Sequence, residues 1–277
     1  MAMNAFLKSV ACCMLGAACL AALLAPRTAE AKGKGYLRMD ETFAPTNSPL
    51  SGKTIAFLGD SYVQNHRRPP REAWHCRFAE KHGMRYLNYG RNGNCIVFDN
   101  PRRGTPMIKR YTEIPADIDY LVIIAGHNDA FDIARLGGQH TIKNPTDEQL
   151  AERARKLDEF KTKLPEFVTA LKSRFARAKI AFVTPWNVDA LYFPEVIAAI
   201  KEATASAGVA CYDAAALSGI QVNDAEFRKK YFQAPGDTAH LNYGGHGLML
   251  EKVEPFLLAL YGFLDGPVRR VRQYPAG

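Results

Sequence analysis

Metal-binding and thiol redox motifs are missing from this 277-residue sequence. Its six cysteines form neither a CxxC pair nor a Cys/His cluster, the spacings that structural zinc sites and redox centres use. The sequence therefore predicts no metal site. Three cysteines lie in the first 19 residues, and the other three, Cys76, Cys95 and Cys211, allow one internal disulfide at most. Spacing alone leaves open whether Cys76 and Cys95 are bridged.

Long runs of like charge are also missing, although the chain is basic. The formal net charge is +8, but the Lys and Arg residues are spread along the chain without a run of five. Scattered charges are typical of solvated faces rather than of a nucleic-acid interface, so no nucleic-acid partner is predicted. A hydrophobic content of 47% is sufficient for a substantial core.

The N-terminus has the pattern of a secretory signal peptide over residues 1–31. Lys8 precedes an apolar run over residues 10–24, and Ala29-Glu30-Ala31 provides a small-x-small cleavage site. The apolar run is too short for a stable membrane span. We therefore predict an exported protein, periplasmic or secreted, with a lipoprotein anchor on Cys19 as the alternative.

Short apolar runs alternate with helical patterns along the rest of the chain. Strands are predicted over residues 54–58, 85–89, 120–125, 179–183 and 209–212, and the main helices over 71–82, 146–177, 194–207, 224–231 and 243–263. This alternation predicts an α/β fold with a five-stranded parallel sheet and helices on both faces. One domain is expected over residues 53–266, after an exposed lead-in at 32–52 and before a tail at 267–277. Whether residues 96–118 or 137–146 form a lid is left open.

Polar side chains follow the predicted strands at one edge of the sheet. Ser61, Gly93 and Asn128 come after three strand ends, and Asp237 and His240 lie in the connection before the last helix. A serine nucleophile needs a base, an orienting carboxylate and oxyanion donors. His240 suits the base and Asp237 the orienting group. The N–H groups of Ser61 and Gly93 and the amide of Asn128 suit the oxyanion hole.

Each of these assignments has an alternative. Asp60-Ser61 could only cap the following helix, and Asn128 could only brace its loop. Gly90 competes with Gly93 for the oxyanion donor. His246 competes with His240 for the base, although it lies within the last helix. A further carboxylate, that of Asp213, also follows a strand and is expected to be structural.

Four motifs resemble, in order, the blocks of the SGNH (GDSL-type) hydrolase family: GDS at 59–61, NxGxxG at 88–93, GHND at 126–129 and DTAH at 237–240. The resemblance implies a three-layer flavodoxin-like sandwich, a Ser61 nucleophile, a His240 base oriented by Asp237, and hydrolysis of carboxylic esters without a cofactor. Tyr62 departs from the family motif, which has leucine there, and this puts the acyl-group preference in question.

These features predict an exported serine esterase that removes short acyl or acetyl groups from a carbohydrate or cell-envelope glycan. A small-molecule or glycan ester is therefore the expected partner, and the sequence does not give the oligomeric state. The alternatives are a lipase or thioesterase of the same fold, or a non-catalytic flavodoxin-like module that binds glycan or phosphate.

Basic and aromatic side chains are expected around the Ser61 edge. Anionic substrate groups and plain solvation are equally good reasons for a basic rim. Trp186 follows a strand and is the better candidate for a sugar-stacking surface, whereas Trp74 is expected in the core. The rim arginines are Arg67, Arg68, Arg71, Arg91, Arg102 and Arg103.

Overall fold

The protein forms an α/β sandwich around one six-stranded sheet. The computed structural model describes residues 39–99, 104–135, 144–186 and 191–262. Its strands are β1 (Met39–Thr42), β2 (Thr54–Gly59), β3 (Arg85–Gly90), β4 (Tyr120–Ile124), β5 (Lys179–Val183) and β6 (Ala210–Tyr212). The sheet order is β1-β3-β2-β4-β5-β6.

The five predicted strands are present and parallel, but the sheet has a sixth strand. β1 pairs antiparallel with β3 and comes from the segment expected to be an exposed lead-in. Phe43 and Leu50, further along this segment, are buried. β1 has the polar sequence MDET at the sheet edge, where one side needs no strand partner, so its sequence carries no apolar strand pattern.

Alternating side chains of the central strands build two separate cores. Ile55 and Phe57 of β2 point into one core, whereas Ala56 and Leu58 point into the other. This is the two-residue period of a strand that is covered on both faces. Helices therefore have to cover both sides of the sheet, as the fold class requires.

The helices divide between these two faces. The structure contains α1 (Ser61–Gln64), α2 (Trp74–Lys81), α3 (Met107–Arg110), α4 (His127–Ala134), α5 (Asp147–Arg174), α6 (Phe193–Ser206), α7 (Ala214–Leu217), α8 (Ala225–Tyr231) and α9 (Tyr243–Leu260). α5 and α6 cover the face that carries Ala56 and Leu58, and α2 and α9 cover the face that carries Ile55 and Phe57. The predicted three-layer α/β sandwich is therefore confirmed.

Local sequence explains where these helices begin. The long helix α5 starts at a capping box, in which the Thr146 side chain accepts from the Gln149 N–H and the Gln149 side chain accepts from the Thr146 N–H. α2 begins at Trp74, later than predicted, because residues 70–72 form a 3-10 turn. α4 was not predicted, since its first residues belong to a loop motif and no side chain caps it.

The two segments for which a lid was left open, 96–118 and 137–146, lie only partly within the described residues. Ile96 and Met107 are fully buried in the core that contains Ala56 and Leu58, so the described parts of residues 96–118 are packed rather than lid-like. Most of 137–146, the predicted signal peptide at 1–31 and the predicted tail at 267–277 lie outside the described residues. Within the described ranges, no helix has both the length and the hydropathy to cross a bilayer. Cys76 and Cys95 are buried free thiols rather than a disulfide.

Strand register places the functional loops together. Gly59, the last residue of β2, lies opposite both Gly90 of β3 and Ile124 of β4. β2, β3 and β4 therefore end at the same edge of the sheet, and the segments that follow them contain Ser61, Gly93 and Asn128. A Cβ atom on Gly90 would lie 2.2 Å from the backbone nitrogen of Gln64, so only glycine lets α1 pack this close to β3.

Candidate active site

Ser61 is the first residue of the short helix α1, immediately after the end of β2. The Asp60 side chain caps this helix by accepting a hydrogen bond from the Tyr62 N–H at 2.9 Å. Asp60 therefore serves as the cap, and the Ser61 hydroxyl is left for another partner. Burial raises the pKa of Asp60 to about 6, although the Tyr62 N–H, His240 and Asn128 act in the opposite direction.

The hydroxyl of Ser61 meets the imidazole of His240. His240 Nε2 lies 3.0 Å from Ser61 Oγ, and His240 Nδ1 lies 3.0 Å from Asp237 Oδ2. The structure thus brings together the three predicted residues, which lie up to 179 positions apart in sequence. Both distances allow hydrogen bonds in the order serine, histidine, aspartate. This order suits proton transfer from the serine to the histidine.

Backbone N–H groups of the Asp237–His240 turn fix the position of the Asp237 carboxylate. Asp237 Oδ1 accepts from the backbone N–H groups of Ala239 and His240, at 2.8 and 2.9 Å. Partial burial favours the neutral acid, but the hydrogen bonds from the His240 ring and these two amides outweigh it and lower the pKa of Asp237 to about 2. The carboxylate is therefore ionised at neutral pH and fixes a proton on His240 Nδ1.

Backbone donors for an oxyanion remain available beside Ser61. Within the described chain, the N–H groups of Ser61 and Gly93 have no acceptor. Gly93 has a φ of +74°, which glycine adopts without strain. The N–H of Gly90, the alternative donor, is bonded to Asn88 Oδ1 at 2.8 Å. Gly93 is therefore the better placed of the two glycines.

The side-chain amide of Asn128 reaches the same region but already has partners. Its Nδ2 donates to Asp60 Oδ2 at 3.0 Å and to the carbonyl of Asn94 at 3.3 Å. The first bond orients the amide next to the serine turn. The bond to the Asn94 carbonyl is long, so an oxyanion bound here would accept the hydrogen bond from Asn128 Nδ2 in place of that carbonyl. Asn128 thus braces the loop in this state and keeps a donor within reach of the site.

Sequence reasoning missed Arg110, which ties these loops together. It lies in α3, inside a segment with no clear periodicity, and is only 2% exposed. Its guanidinium donates to Asn94 Oδ1 at 2.7 Å, to the Tyr89 carbonyl at 2.7 Å and to the Gly59 carbonyl at 2.8 Å. One side chain therefore holds the ends of β2 and β3 and the loop after Gly93. No motif marks it, and only the fold reveals its role.

Substituting Arg110→Met is expected to lower the free energy of unfolding by about 3 kcal/mol, because Asn94 Oδ1 and the Tyr89 carbonyl lose the guanidinium as donor, while the Gly59 carbonyl retains the Arg91 N–H. Urea denaturation would measure the change. Arg155→Met is the matched control: Arg155 is largely exposed and pairs with Glu152, so its loss should change the free energy of unfolding far less. Equal unfolding midpoints for the two variants would contradict this role for Arg110.

The alternative assignments have other positions in the structure. His246, the rival base, is buried, and its Nε2 lies 3.0 Å from Asn65 Oδ1 rather than near the serine hydroxyl. Burial lowers the pKa of His246 well below its usual value, so it stays neutral. Asp213 caps α7 and pairs with Lys201. The structural interpretation of Asp213 therefore agrees with its contacts.

Tyr62 and Trp186 form an aromatic wall beside Ser61. Their rings stack with centroids 4.0 Å apart, and the Tyr62 hydroxyl lies 2.7 Å from His127 Nδ1. Trp186 is only 1% exposed, so the expectation of an open sugar-stacking surface is wrong. Stacking on Tyr62 covers one face of its ring. Both residues instead line a narrow cleft next to Ser61.

Ion pairs occupy most of the described basic rim. Arg68 pairs with Glu72 at 3.3 Å, Arg91 pairs with Glu113 at 2.7 Å, and Arg71 pairs with Glu41. Arg102 and Arg103 lie outside the described residues. Arg67 has no carboxylate partner in the part of the chain that the structure describes. The described rim therefore gives little support to recognition of a highly anionic substrate.

A parallel α/β sheet with a serine, histidine and aspartate at its carboxyl edge is typical of a hydrolase. The model of the GDSL-like lipase/acylhydrolase family matches residues 57–248, which is more than half of the chain. The protein belongs to this family and is a hydrolase of ester bonds. A search of curated proteins finds no significant match.

Solved structures share the fold at low sequence identity. A protein from Lactobacillus plantarum is 23% identical with a TM-score of 0.58, and the match covers 76% of this chain and 98% of that one. A carbohydrate esterase family 2 enzyme from Corynascus thermopiles is 19% identical with a TM-score of 0.53, covering 79% and 69%. An acetyl xylan esterase from Butyrivibrio proteoclasticus is 13% identical with a TM-score of 0.54, covering 79% and 67%.

Proposed function

We propose that the protein is an exported serine esterase that forms an acyl-enzyme on Ser61. The 3.0 Å distance between Ser61 Oγ and His240 Nε2 is the observation that carries this proposal. His240 takes the hydroxyl proton as Ser61 Oγ attacks the ester carbonyl, and it then gives that proton to the departing alcohol. A water molecule, deprotonated by His240 in turn, attacks the acyl-enzyme and releases the carboxylic acid and the free serine.

Electrostatics support both steps of this mechanism. The imidazolium formed at each step lies against the ionised carboxylate of Asp237. The free N–H groups of Ser61 and Gly93 suit the negative charge that develops on the carbonyl oxygen, with Asn128 as the third donor. The three donors come from three different loops, which Arg110 and Asp60 hold in place.

The acyl group is proposed to be short, and acetyl fits best. The described residues beside Ser61 enclose no space large enough for a water molecule, whereas pockets that enclose larger ligands usually measure several hundred Å³. Tyr62, Trp186 and Leu241 line the cleft there. The tyrosine that replaces the leucine of the family motif therefore narrows the space next to the nucleophile.

The alcohol is proposed to be a carbohydrate of the cell envelope or its surroundings. Two proteins with the same fold are carbohydrate esterases by name, and one of them is an acetyl xylan esterase. Export is supported by the pattern in residues 1–31, an apolar run followed by a small-x-small site. Mass spectrometry of the protein recovered from outside the cytoplasm would test export, with a mature N-terminus near Lys32 as the expected result.

The enzymatic proposal is tested by labelling and by substrate chain length. A fluorophosphonate probe is expected to tag the wild-type protein and not Ser61→Ala, because the probe needs an activated serine. p-Nitrophenyl acetate should be hydrolysed faster than a long-chain p-nitrophenyl ester, because the cleft is narrow. Faster turnover of the long chain would favour a lipase or thioesterase, and equal labelling of both proteins would reject Ser61 as the nucleophile.

A non-catalytic glycan- or phosphate-binding module is the remaining alternative. Such a module has no need for a carboxylate, an imidazole and a hydroxyl in hydrogen-bonding order. It would bind glycan without being labelled by the probe. Absence of both labelling and ester hydrolysis, with glycan binding retained, would favour it.

A further inference from the structure

A second imidazole lies directly against the base. The ring of His66 stacks on the ring of His240, with centroids 4.4 Å apart and planes inclined by 26°. The backbone N–H of His66 also donates to the carbonyl of Ser61 at 3.2 Å, so its position is tied to the nucleophile helix α1. His66 belongs to none of the four family motifs. Its contact with His240 is made by the face of the ring rather than by a nitrogen.

Unusual backbone conformations hold His66 in this place. Asn65 has a φ of 60° and Arg67 has a φ of 57°, so left-handed non-glycine residues flank His66 on both sides. Asparagine tolerates this region, whereas arginine adopts it at some cost in free energy. Strain of this kind persists where surrounding contacts impose it, and it is concentrated at functional sites.

Asn65 provides such contacts. Its side-chain Nδ2 donates to the carbonyl of Pro69 at 2.7 Å, which leaves Oδ1 as the acceptor. That oxygen lies 3.0 Å from His246 Nε2, within hydrogen-bonding distance of the helix α9. The turn that carries His66 is thus fastened both within itself and to the helix that follows the His240 loop.

The charged groups around His66 favour its neutral form. Burial is the main cause that lowers the pKa of His66, and the positive charges of His240 and Arg67 add to it. Asn92 and the carboxylate of Asp237 act in the opposite direction but are weaker. His66 therefore presents an uncharged aromatic face to His240 at neutral pH.

We propose that His66 is a positioning residue for the base His240. Its ring covers one face of the imidazole and holds the ring plane in which Nε2 faces Ser61 and Nδ1 faces Asp237. This inference rests on the proposed function, because it assigns His66 a role in that same reaction.

Two substitutions separate stacking from other roles. His66→Ala removes the aromatic face and opens His240 to water, whereas His66→Phe keeps a face but cannot carry a proton. For p-nitrophenyl acetate we expect kcat of His66→Ala to fall by about 10-fold or more, with KM changed less than about 2-fold, because placement of the base is lost. Hydration of the imidazolium should move the acid limb of its pH–rate profile to higher pH.

His66→Phe should keep kcat within about 3-fold of the wild type and keep the acid limb in place, since the aromatic face remains. His82→Ala is the matched control: His82 bonds to Ser48 and Glu254, away from the site, so its loss should not move the limb. A wild-type profile for His66→Ala would overturn the proposal. So would a His66→Phe variant as impaired as His66→Ala, because a proton-carrying or hydrogen-bonding role would then be required.

NMR titration of the His240 ring tests the same contact without turnover. The measurement is made in Ser61→Ala, with and without His66→Ala, and the titration midpoint should rise when His66 is removed. An unchanged midpoint would contradict the stacking role. Failure of the esterase proposal is detected separately, by loss of fluorophosphonate labelling in the protein with His66 intact. The two hypotheses can therefore fail independently.

Discussion

Replacing His240 with alanine is expected to lower kcat for an acetyl ester by about 10⁵- to 10⁶-fold, with KM changed far less. The Ser61 hydroxyl lies 3.0 Å from His240 Nε2, which is its hydrogen-bond acceptor. Without His240, no base accepts the hydroxyl proton when Ser61 attacks the ester. Loss of the base alone costs about as much as loss of the entire triad, since the residues act as a unit. Steady-state kinetics with p-nitrophenyl acetate would measure the effect.

His246 gives the comparison that makes this experiment specific. It is the histidine that competes with His240 for the role of base, and its Nε2 faces Asn65 instead of Ser61. His246→Gln should therefore lose far less activity than His240→Ala. The assignment of the base is wrong if His240→Ala keeps activity within 10-fold of the wild type, or if the His246 variant is the more impaired of the two.

Asp237→Asn is expected to lower kcat by about 10⁴-fold while leaving the fold intact. The carboxylate oxygen Oδ2 accepts from His240 Nδ1 at 3.0 Å, so it fixes the tautomer whose Nε2 can take the serine proton. An asparagine can turn its NH₂ group toward Nδ1 and favour the opposite tautomer. Kinetics with the same acetyl ester would measure the loss, and circular dichroism would establish that the variant is folded.

Asp213→Asn is the matched control for this substitution, because Asp213 also follows a strand but pairs with Lys201. Its activity should stay close to that of the wild type. If Asp237→Asn were as active as Asp213→Asn, His240 would have to be oriented by another group.

The same carboxylate gives stability a defined dependence on pH. The pKa of Asp237 is lowered from its usual 3.8 to about 2 in the folded protein. Its contribution to the free energy of unfolding is therefore complete above about pH 4 and is lost as the pH falls toward 2. The difference in stability between wild type and Asp237→Asn should be constant at neutral pH and shrink over that acidic interval, as urea denaturation at each pH would measure.

Much of the fold could be predicted because the central strands are covered on both sides. β2, β4 and β5 are apolar runs closed by Gly or polar turns, and such runs have few other interpretations. β1 could not be predicted in the same way. Three of its four residues are polar, and they are stabilised by pairing with β3, a partner that lies more than 40 residues away in sequence.

Some residues of the site could be predicted from short sequence motifs, whereas others could be recognised only from their contacts in the folded chain. Ser61, Asp237 and His240 could be proposed because each lies in a short motif, and the chemistry requires all three. Arg110 and His66 could not, since their importance comes from contacts with Gly59 and His240 that only the folded chain makes. Trp186 was assigned to an open surface because its stacking on Tyr62 depends on how two loops meet.

The 179-residue separation between Ser61 and His240 has a consequence for biosynthesis. During translation the nucleophile leaves the ribosome long before the residue that activates it. Helix α9, which follows His240 and covers one face of the sheet, leaves later still. A chain that ends before the 237–240 loop therefore lacks the imidazole beside Ser61, and under the proposed mechanism it cannot hydrolyse esters.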